Sequence, residues 1–423
     1  MSSEKTIKQI RKFLLDQREK MIQLTKELCA IATENPPGNN FELFVDFLRG
    51  TVEAMGLSTQ KIRVPEEYQR RFTPPETWGY PRFNLVARWD NQLPNTLHFN
   101  SHFDVVPATE DWETNPFKPM RKGGKLYGRG TCDMKGSLAA SLFAVKALSA
   151  CGIDPGWNIE LSFTADEEIG GECGLGYLVR NELIRPDAAV ICEGGSDDTI
   201  AYGHRGVLWA DVRVEGVAGH GSNPKGGINA FEKGIRLADQ ILALKNHFSQ
   251  RKSAYITYQP EFRCPSLMLG GESGGGQKVN IIPDRFHFTL DRRLIPEEDV
   301  TAVIQEIREV LDAAAKEDKE LKAELDVRLA FNAGITDPKA EICCIAKKAV
   351  GDCLGKNAKL RLFGAFTDLH FLTQQGNCPT IGYGVEGEGI HGSRECIEIR
   401  SLVETALVYA EIMASESGAR NSN

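Results

Sequence analysis

The residues with the greatest chemical potential in this sequence are histidines and carboxylates that occur in short clusters. One cluster, residues 97–104, reads LHFNSHFD, and its His102 and Asp104 are two positions apart. On an extended backbone both side chains point to one face, where an imidazole could bind a metal while the carboxylate orients its second ring nitrogen. A His-x-Asp triplet alone is a weak signal, because a satisfied buried histidine is the commoner explanation. The cluster therefore indicates a metal site only in combination with other clusters.

Three further clusters place carboxylates beside glycines. They are GRGTCDMKG (128–136, with Asp133), TADEEIGG (164–171, with Glu167 and Glu168) and CEGG (192–195, with Glu193). The first is not a phosphate loop, since it lacks the GxxxxGK[ST] arrangement. Adjacent acids at a strand end repel one another unless cations neutralise them, although a solvated acidic loop is the simpler alternative. The apolar run and the glycines that flank Glu167 and Glu168 in residues 164–171 favour a functional role.

A fifth cluster, GIHGS at 389–393, adds His391 near the C-terminus. Two histidines and three carboxylates can bind two borderline divalent cations, with one carboxylate bridging them. Zinc, manganese and cobalt all accept such a set of nitrogen and oxygen ligands, so the sequence leaves the metal open.

Strands that alternate with helices must position these clusters. Apolar runs at 84–89, 96–99, 159–164 and 188–192 read as strands, and 136–150 and 175–182 as helices. This order predicts an α/β domain with a mostly parallel sheet flanked by helices. The pattern changes near Tyr202 to an α+β module, so we predict a discontinuous catalytic domain, 1–204 and 331–423, interrupted by an inserted domain, 205–330.

Several local elements are also predicted. Helical periodicity runs through residues 5–34 until Asn35-Pro36-Pro37-Gly38 ends it. Residues 66–81, rich in proline and aromatic residues, indicate an irregular loop, and residues 297–325 a charged helix.

Composition limits the classes of partner. The 423 residues carry a net charge of −8 without a concentrated basic segment, which argues against nucleic acid. The sequence shows neither a secretory signal nor an apolar run long enough to span a bilayer. Its eleven cysteines lack CxxC spacing and read as reduced thiols, so a cytoplasmic location is expected.

The sequence resembles the M20 metallopeptidase family over roughly residues 24–412. The resemblance is carried by HFDVVP (102–107), NPF (115–117), GKLYGRGTCDMKG (124–136), ADEEIGG (165–171), GHGSNP (219–224) and NIIPD (280–284). It implies two divalent metal ions per subunit, His102 and Glu193 binding one and Glu168 and His391 the other. Asp133 would bridge the ions, Asp104 would orient His102, and Glu167 would be the general base.

The resemblance also implies roles in the inserted domain, which would act as a lid and dimerisation domain of a homodimer. His220 is similar to a residue that stabilises the oxyanion, Arg293 to an arginine that binds a substrate carboxylate, and Asn280 to a polar contact nearby. Domain packing is the alternative for all three. Gly194-Gly195 after Glu193 and His204-Arg205-Gly206 depart from the common family pattern, which leaves the substrate open.

These observations predict a metal-dependent hydrolase that cleaves an amide C–N bond in a small substrate, an N-acyl amino acid or small peptide. Metal-activated water would attack the carbonyl after Glu167 removes its proton, and Glu167 would then protonate the leaving amine. An aminohydrolase that releases ammonia from an activated aromatic amine is one alternative. A non-catalytic binding protein on the same fold is another.

Overall fold

The computed structural model describes residues 4–248 and 250–416. The α-helices in chain order are α1 (Glu4–Asp16), α2 (Arg18–Ala30), α3 (Phe41–Glu53), α4 (Glu66–Phe72), α5 (Gly136–Cys151), α6 (Leu175–Arg180), α7 (Ala230–Phe248), α8 (Val300–Glu317), α9 (Glu341–Leu354) and α10 (Ile399–Ala414). Within these described residues, no helix is both long and apolar enough to cross a membrane.

The strands follow the same order along the chain. They are β1 (Ser58–Arg63), β2 (Phe83–Trp89), β3 (Thr96–His102), β4 (Met120–Lys122), β5 (Lys125–Tyr127), β6 (Asn158–Thr164), β7 (Ala188–Ile191), β8 (Thr199–His204), β9 (Gly206–Glu215), β10 (Gly219–His220), β11 (Ser266–Gly275), β12 (Ile281–Ile282), β13 (Arg285–Leu294), β14 (Lys322–Phe331), β15 (Lys359–Phe363), β16 (Thr380–Gly382), β17 (Gly387–Glu388) and β18 (Cys396–Glu398).

The chain forms two compact units. The first unit comprises Met1–Gly203, Ile335–Arg361 and Thr367–Asn423, and the second comprises His204–Gly334 and Leu362–Phe366. The predicted fold class, an α/β domain together with an α+β domain, is confirmed. The predicted roles of 1–204 with 331–423 as the catalytic domain and of 205–330 as a lid stay predictions.

The first unit is built on a sheet of the order β1-β2-β6-β3-β7-β16-β8-β15. Its central strands, β6, β3, β7 and β16, run parallel, and β1, β2 and β8 pair antiparallel with their neighbours. Leu97 and Phe99 of β3 are buried, and the Phe99 ring lies 5.2 Å from that of Tyr409 in α10. Apolar residues of α6, among them Leu175 and Leu178, belong to a second buried cluster with Val86 and Ile191.

Parallel pairing decides where the chemical residues lie. Because β3, β6 and β7 run in the same direction, their carboxyl ends meet at one edge of the sheet. His102 ends β3, Glu167 and Glu168 follow β6, and Glu193 follows β7. The alternation of the chain therefore brings side chains that are far apart in sequence to a common edge.

The second unit is an antiparallel sheet, β11-β13-β9-β14, with α7 and α8 against it. Alternate residues of β9 (Leu208, Ala210, Val212 and Val214) are buried in a core that includes Leu237 of α7 and Ile307 of α8. The opposite face of β9 carries the half-buried Trp209 and the exposed Arg213. This alternation is typical of a sheet that is covered on one side.

Three predicted elements differ from the structure. The helix predicted over 5–34 is two helices, α1 and α2, which are separated at Gln17. The loop predicted over 66–81 contains α4, where the buried Gln69 Nε2 donates to the carbonyl oxygens of Thr77 (3.0 Å) and Tyr80 (2.9 Å). The helix predicted over 297–325 is only α8, since the chain pairs with β9 from Lys322 onward.

Candidate metal centre

His102, at the end of β3, has both ring nitrogens close to oxygen atoms. Its Nε2 lies 3.0 Å from Asp133 Oδ1, and its Nδ1 lies 3.1 Å from the Asp104 carbonyl oxygen and 3.5 Å from the Asp104 carboxylate. Burial lowers the pKa of the imidazole, but the hydrogen bonds to Asp104 and Asp133 outweigh it and raise the pKa well above the usual value. The ring is thus fixed with Nε2 toward Asp133.

Asp133 lies in a glycine-rich turn between β5 and α5. Gly130 has a φ of +78°, and a Cβ there would come within 2.8 Å of Val105 Cγ1, so this close turn requires glycine. Asp133 Oδ1 faces His102, and Oδ2 lies 3.3 Å from His391 Nε2. Burial raises the pKa of the carboxyl, but hydrogen bonds to the two histidines lower it below its usual value. One carboxylate therefore faces two histidines.

The turn after β6 carries two consecutive glutamates. Its backbone is held by Asp104, whose carboxylate accepts from the amides of Glu167 (3.3 Å) and Glu168 (3.2 Å). Glu168 Oε2 lies 3.1 Å from His391 Nε2, and Oε1 accepts from the Val106 amide at 3.2 Å. Glu167, the preceding residue, is also buried, so the turn holds two adjacent buried carboxyls.

Glu193 follows β7, and its carboxylate provides a test of whether the residues present fit a cation. Its Oε1 is buried without a hydrogen-bond partner among the residues that the structure describes. Leaving a buried carboxylate oxygen unsatisfied is costly, and a bound cation at this position would offset that cost. Burial raises the pKa of Glu193 well above its usual value; the charge of His102 opposes this shift, and the nearby acids Asp133, Asp368 and Glu168 add to it.

These side chains fall into two groups that could each hold a metal ion. One group is His102, Asp133 and Glu193, and the other is Asp133, Glu168 and His391; within each, the ligand atoms lie within 4.8 Å of one another. Burial, and then Asp133, raises the pKa of Glu168 to about 7. Imidazole and carboxylate ligands suit borderline divalent cations, whose charge would offset this crowding of acids. The residues present therefore fit two ions that share Asp133.

A buried network that sequence reasoning missed supports Asp104. Asn35 Nδ2 donates to Asp104 Oδ2 at 2.8 Å and to Asp166 Oδ1 at 2.9 Å, and Arg82 Nε donates to Asp166 Oδ2 at 2.9 Å. Asn35 was interpreted only as a helix terminator, and Arg82 follows the stretch predicted to be a loop. Since Asn35 and Asp104 are far apart in sequence, no local pattern could connect them.

Asp368 is a further buried carboxyl near these acids. Burial raises its pKa to about 8; His102 lowers it, and Asp104 is the first of the neighbouring acids that raise it. Its Oδ2 has no hydrogen-bond partner within the described part of the chain. The site therefore contains more buried acid than the sequence clusters alone indicated.

The three remaining predicted residues belong to the second unit. His220 lies in β10, and its Nδ1 is 2.7 Å from Ser222 Oγ. The Asn280 carbonyl oxygen accepts from the Gly221 amide at 2.9 Å. Arg293 in β13 donates from Nε (2.8 Å) and Nη2 (2.9 Å) to Asp291. The residue after His220 is therefore hydrogen-bonded to Asn280. Arg293 has an ion-pair partner, Asp291, within its own strand.

The fold has a parallel central sheet, and two groups of histidine and carboxylate side chains beside it could each hold a metal ion. Residues 98–415 match the model of Peptidase family M20/M25/M40, and the chain belongs to this family, whose members are metallohydrolases and peptidases that act on amide bonds. The resemblance found in the sequence is thereby confirmed.

Similar proteins span most of the chain. An uncharacterized metallohydrolase of Methanocaldococcus jannaschii is 28% identical, with 94% of this chain and 100% of that protein covered. A succinyl-diaminopimelate desuccinylase of Methylobacterium radiotolerans is 30% identical, with coverages of 79% and 84%. The solved structure of the dipeptidase Dug1p of Saccharomyces cerevisiae has a TM-score of 0.78 at 18% identity, covering 96% of this chain and 98% of that one, which shows a shared fold.

Proposed function

We propose that this protein hydrolyses the amide C–N bond of an N-acyl amino acid or small peptide, using two divalent metal ions. The observation that carries the proposal is the position of Asp133, whose two carboxylate oxygens face His102 and His391 separately. A carboxylate placed in this way can bridge two cations. The desuccinylase relative, which acts on an N-acyl amino acid, supports the substrate class.

His102 and Glu193 would bind one ion, and Glu168 and His391 the other. Glu167 is not a member of either group, although it is buried beside them. Two bound cations would neutralise the carboxylates and make water acidic enough to lose a proton near neutral pH. The nitrogen and oxygen ligands accept zinc, manganese and cobalt, so all three metals are compared in the experiment below.

Glu167 is proposed as the general base. Burial raises the pKa of its carboxyl well above the usual value, and the charge of Glu193 adds to the effect. A base of raised pKa accepts a proton from water more readily and can pass it to the leaving amine afterwards. Asp104 holds the backbone amide of Glu167, so it fixes the turn that presents the base. The water oxygen then attacks the amide carbonyl carbon, and the C–N bond breaks as the amine is protonated.

Residues of the second unit would complete the reaction. We assign stabilisation of the oxyanion to His220, whose ring is oriented through Nδ1 by Ser222. Arg293 would bind a substrate carboxylate, with Asn280 as a further polar contact. Because Arg293 uses Nε and Nη2 for Asp291, such binding would depend on its remaining donor groups.

Release of the hydrolysis product by metal-reconstituted protein tests this proposal. Metal-free protein reloaded separately with zinc, manganese or cobalt is expected to release an amino acid from a panel of N-acetyl and N-succinyl amino acids and dipeptides. The panel includes aminobenzoates, and the metal-free protein is the control. Release of ammonia from an aromatic amine, with every amide intact, would contradict the deacylase activity and support the aminohydrolase activity. Loss of all turnover with metal fully bound would indicate a binding protein.

We also propose that the protein is a homodimer that joins through its second unit. Phe231, Ile235 and Leu242 lie on one face of α7 and are 45%, 49% and 37% exposed, so they form an apolar patch on the surface of this helix. Sedimentation velocity should give a species of twice the chain mass, and Ile235→Glu should shift it to the monomer. A monomeric wild-type protein at micromolar concentration would contradict the proposal.

A further inference from the structure

A buried ion pair lies directly behind the turn that presents Asp133. Arg129 Nη1 donates to Glu395 Oε2 at 2.7 Å, and both side chains are 1% exposed. Glu395 Oε2 also accepts from the Gly130 amide (3.1 Å), and Oε1 accepts from the amides of Cys132 (3.0 Å) and Asp133 (3.1 Å). The carboxylate thus uses its full acceptor capacity, three of its four bonds coming from the backbone of one turn.

The same pair reaches the loop that carries His391. Arg129 Nη2 donates to the His391 carbonyl oxygen at 3.0 Å. His391 has a φ of +65°, a left-handed conformation that is uncommon for residues other than glycine and must be held by surrounding contacts. The hydrogen bond from Arg129 is such a contact. One ion pair therefore touches the backbone of two candidate metal ligands that lie on different loops.

A purely structural role would explain burial but not this choice of partners. Buried ion pairs contribute little net stability, because desolvation of the two charges offsets their attraction. Here the hydrogen bonds of the pair include those to the amide of Asp133 and the carbonyl of His391, beside those to the Gly130 and Cys132 amides. Both residues belong to the group Asp133, Glu168 and His391, so the pair connects the backbone of two of its three members.

We propose that Glu395 and Arg129 are positioning residues for the metal centre: Glu395 fixes the turn that presents Asp133, and Arg129 ties this turn to the backbone of His391. The inference rests on the proposed function, since it assigns metal binding to Asp133 and His391. Glu395 acts on both ions because Asp133 is shared. Arg129 acts chiefly on the ion bound by Glu168 and His391.

Calorimetric titration of metal-free protein with Co²⁺ tests the proposal, together with the absorption spectrum of bound Co²⁺. Glu395→Gln should weaken both binding steps, by about 10–100-fold as is typical for residues that support metal ligands. Arg129→Lys keeps the positive charge beside Glu395 but loses the Nη2 donor that bonds the His391 carbonyl oxygen, so it should weaken one step only. The Co²⁺ spectrum should change in both variants.

Glu160→Gln is the matched control. Glu160 is also a buried carboxylate with an arginine partner, Arg88, and it contacts His98 at 2.9 Å, but it touches no candidate ligand. The control should lower the melting temperature without altering Co²⁺ affinity or spectrum. If Glu395→Gln and Arg129→Lys, folded by circular dichroism, bind two Co²⁺ ions as the wild type does, the positioning role is refuted. If Glu395→Gln does not fold, Arg129→Lys alone decides.

The affinity readout separates this inference from the proposed function. Wild-type protein that binds two Co²⁺ ions but hydrolyses no amide would refute the proposed function, while the comparison of variants would still stand. Wild-type protein that hydrolyses amides while both variants keep normal metal affinity would refute the positioning role alone.

Discussion

Glu167→Gln is expected to lower kcat by about 10²–10⁴-fold, the contribution typical of a general base, while both metal ions stay bound. The amide has nearly the same shape as the carboxylate but cannot accept a proton from water. Glu167 is not a member of either candidate ligand group, so metal affinity should be preserved. Single-turnover kinetics on the substrate from the panel, with metal content measured on the same sample, checks this result.

Glu168→Gln provides the contrast for that experiment. Glu168 lies one residue further along the same turn, and its Oε2 faces His391 at 3.1 Å. This variant should lose affinity for one metal ion as well as activity. Near-normal turnover by Glu167→Gln would rule out the assigned base, and loss of metal by Glu167→Gln would make Glu167 a ligand instead.

Asp133→Asn is expected to have the largest effect on metal binding. The substitution removes the negative charge that the two groups share, and an asparagine cannot offer two anionic oxygens to two cations. Both binding steps should weaken by more than the roughly 100-fold upper range for supporting residues. Co²⁺ titration of the metal-free variant, folded by circular dichroism, measures this loss.

Glu193→Gln is the control for the proposed role of Asp133 as a ligand shared by both ions. Glu193 belongs only to the group with His102, so its substitution should weaken one binding step and spare the other. An Asp133→Asn protein that loses one ion and keeps the second at wild-type affinity would contradict the bridging assignment. In that case each ion would have a separate set of ligands.

The local patterns predicted the candidate ligands because each ligand sits in its own short cluster, and the clusters of His102, Glu168 and Glu193 lie at strand ends. The parallel order of β3, β6 and β7, itself readable from alternating strands and helices, brings His102, Glu168 and Glu193 to one edge. The supporting residues could not be predicted in this way. Arg129 and Glu395 are 266 positions apart, and only the folded chain brings them together.

Some elements were missed for reasons of composition. β11, an edge strand of the second unit, reads SLMLGGESGG, and its four glycines have low strand propensity. Its pairing with β13 determines its conformation, together with a register shift between Leu269 and Ser273. α4 was missed since its proline- and aromatic-rich surroundings indicated a loop. In both cases tertiary contacts outweigh local preference.

The long sequence span of the Arg129–Glu395 pair has a consequence for how the protein matures. During synthesis the chain up to residue 193 already contains His102, Asp133 and Glu193, one complete group of candidate ligands. The carboxylate that secures the Asp133 turn emerges only with Glu395, and closing so long a loop is entropically costly. A cation bound at this stage would therefore contact ligands before Glu395 has formed its hydrogen bonds to the Asp133 turn. The Asp133 turn acquires its full set of hydrogen bonds only after Glu395 has been synthesised.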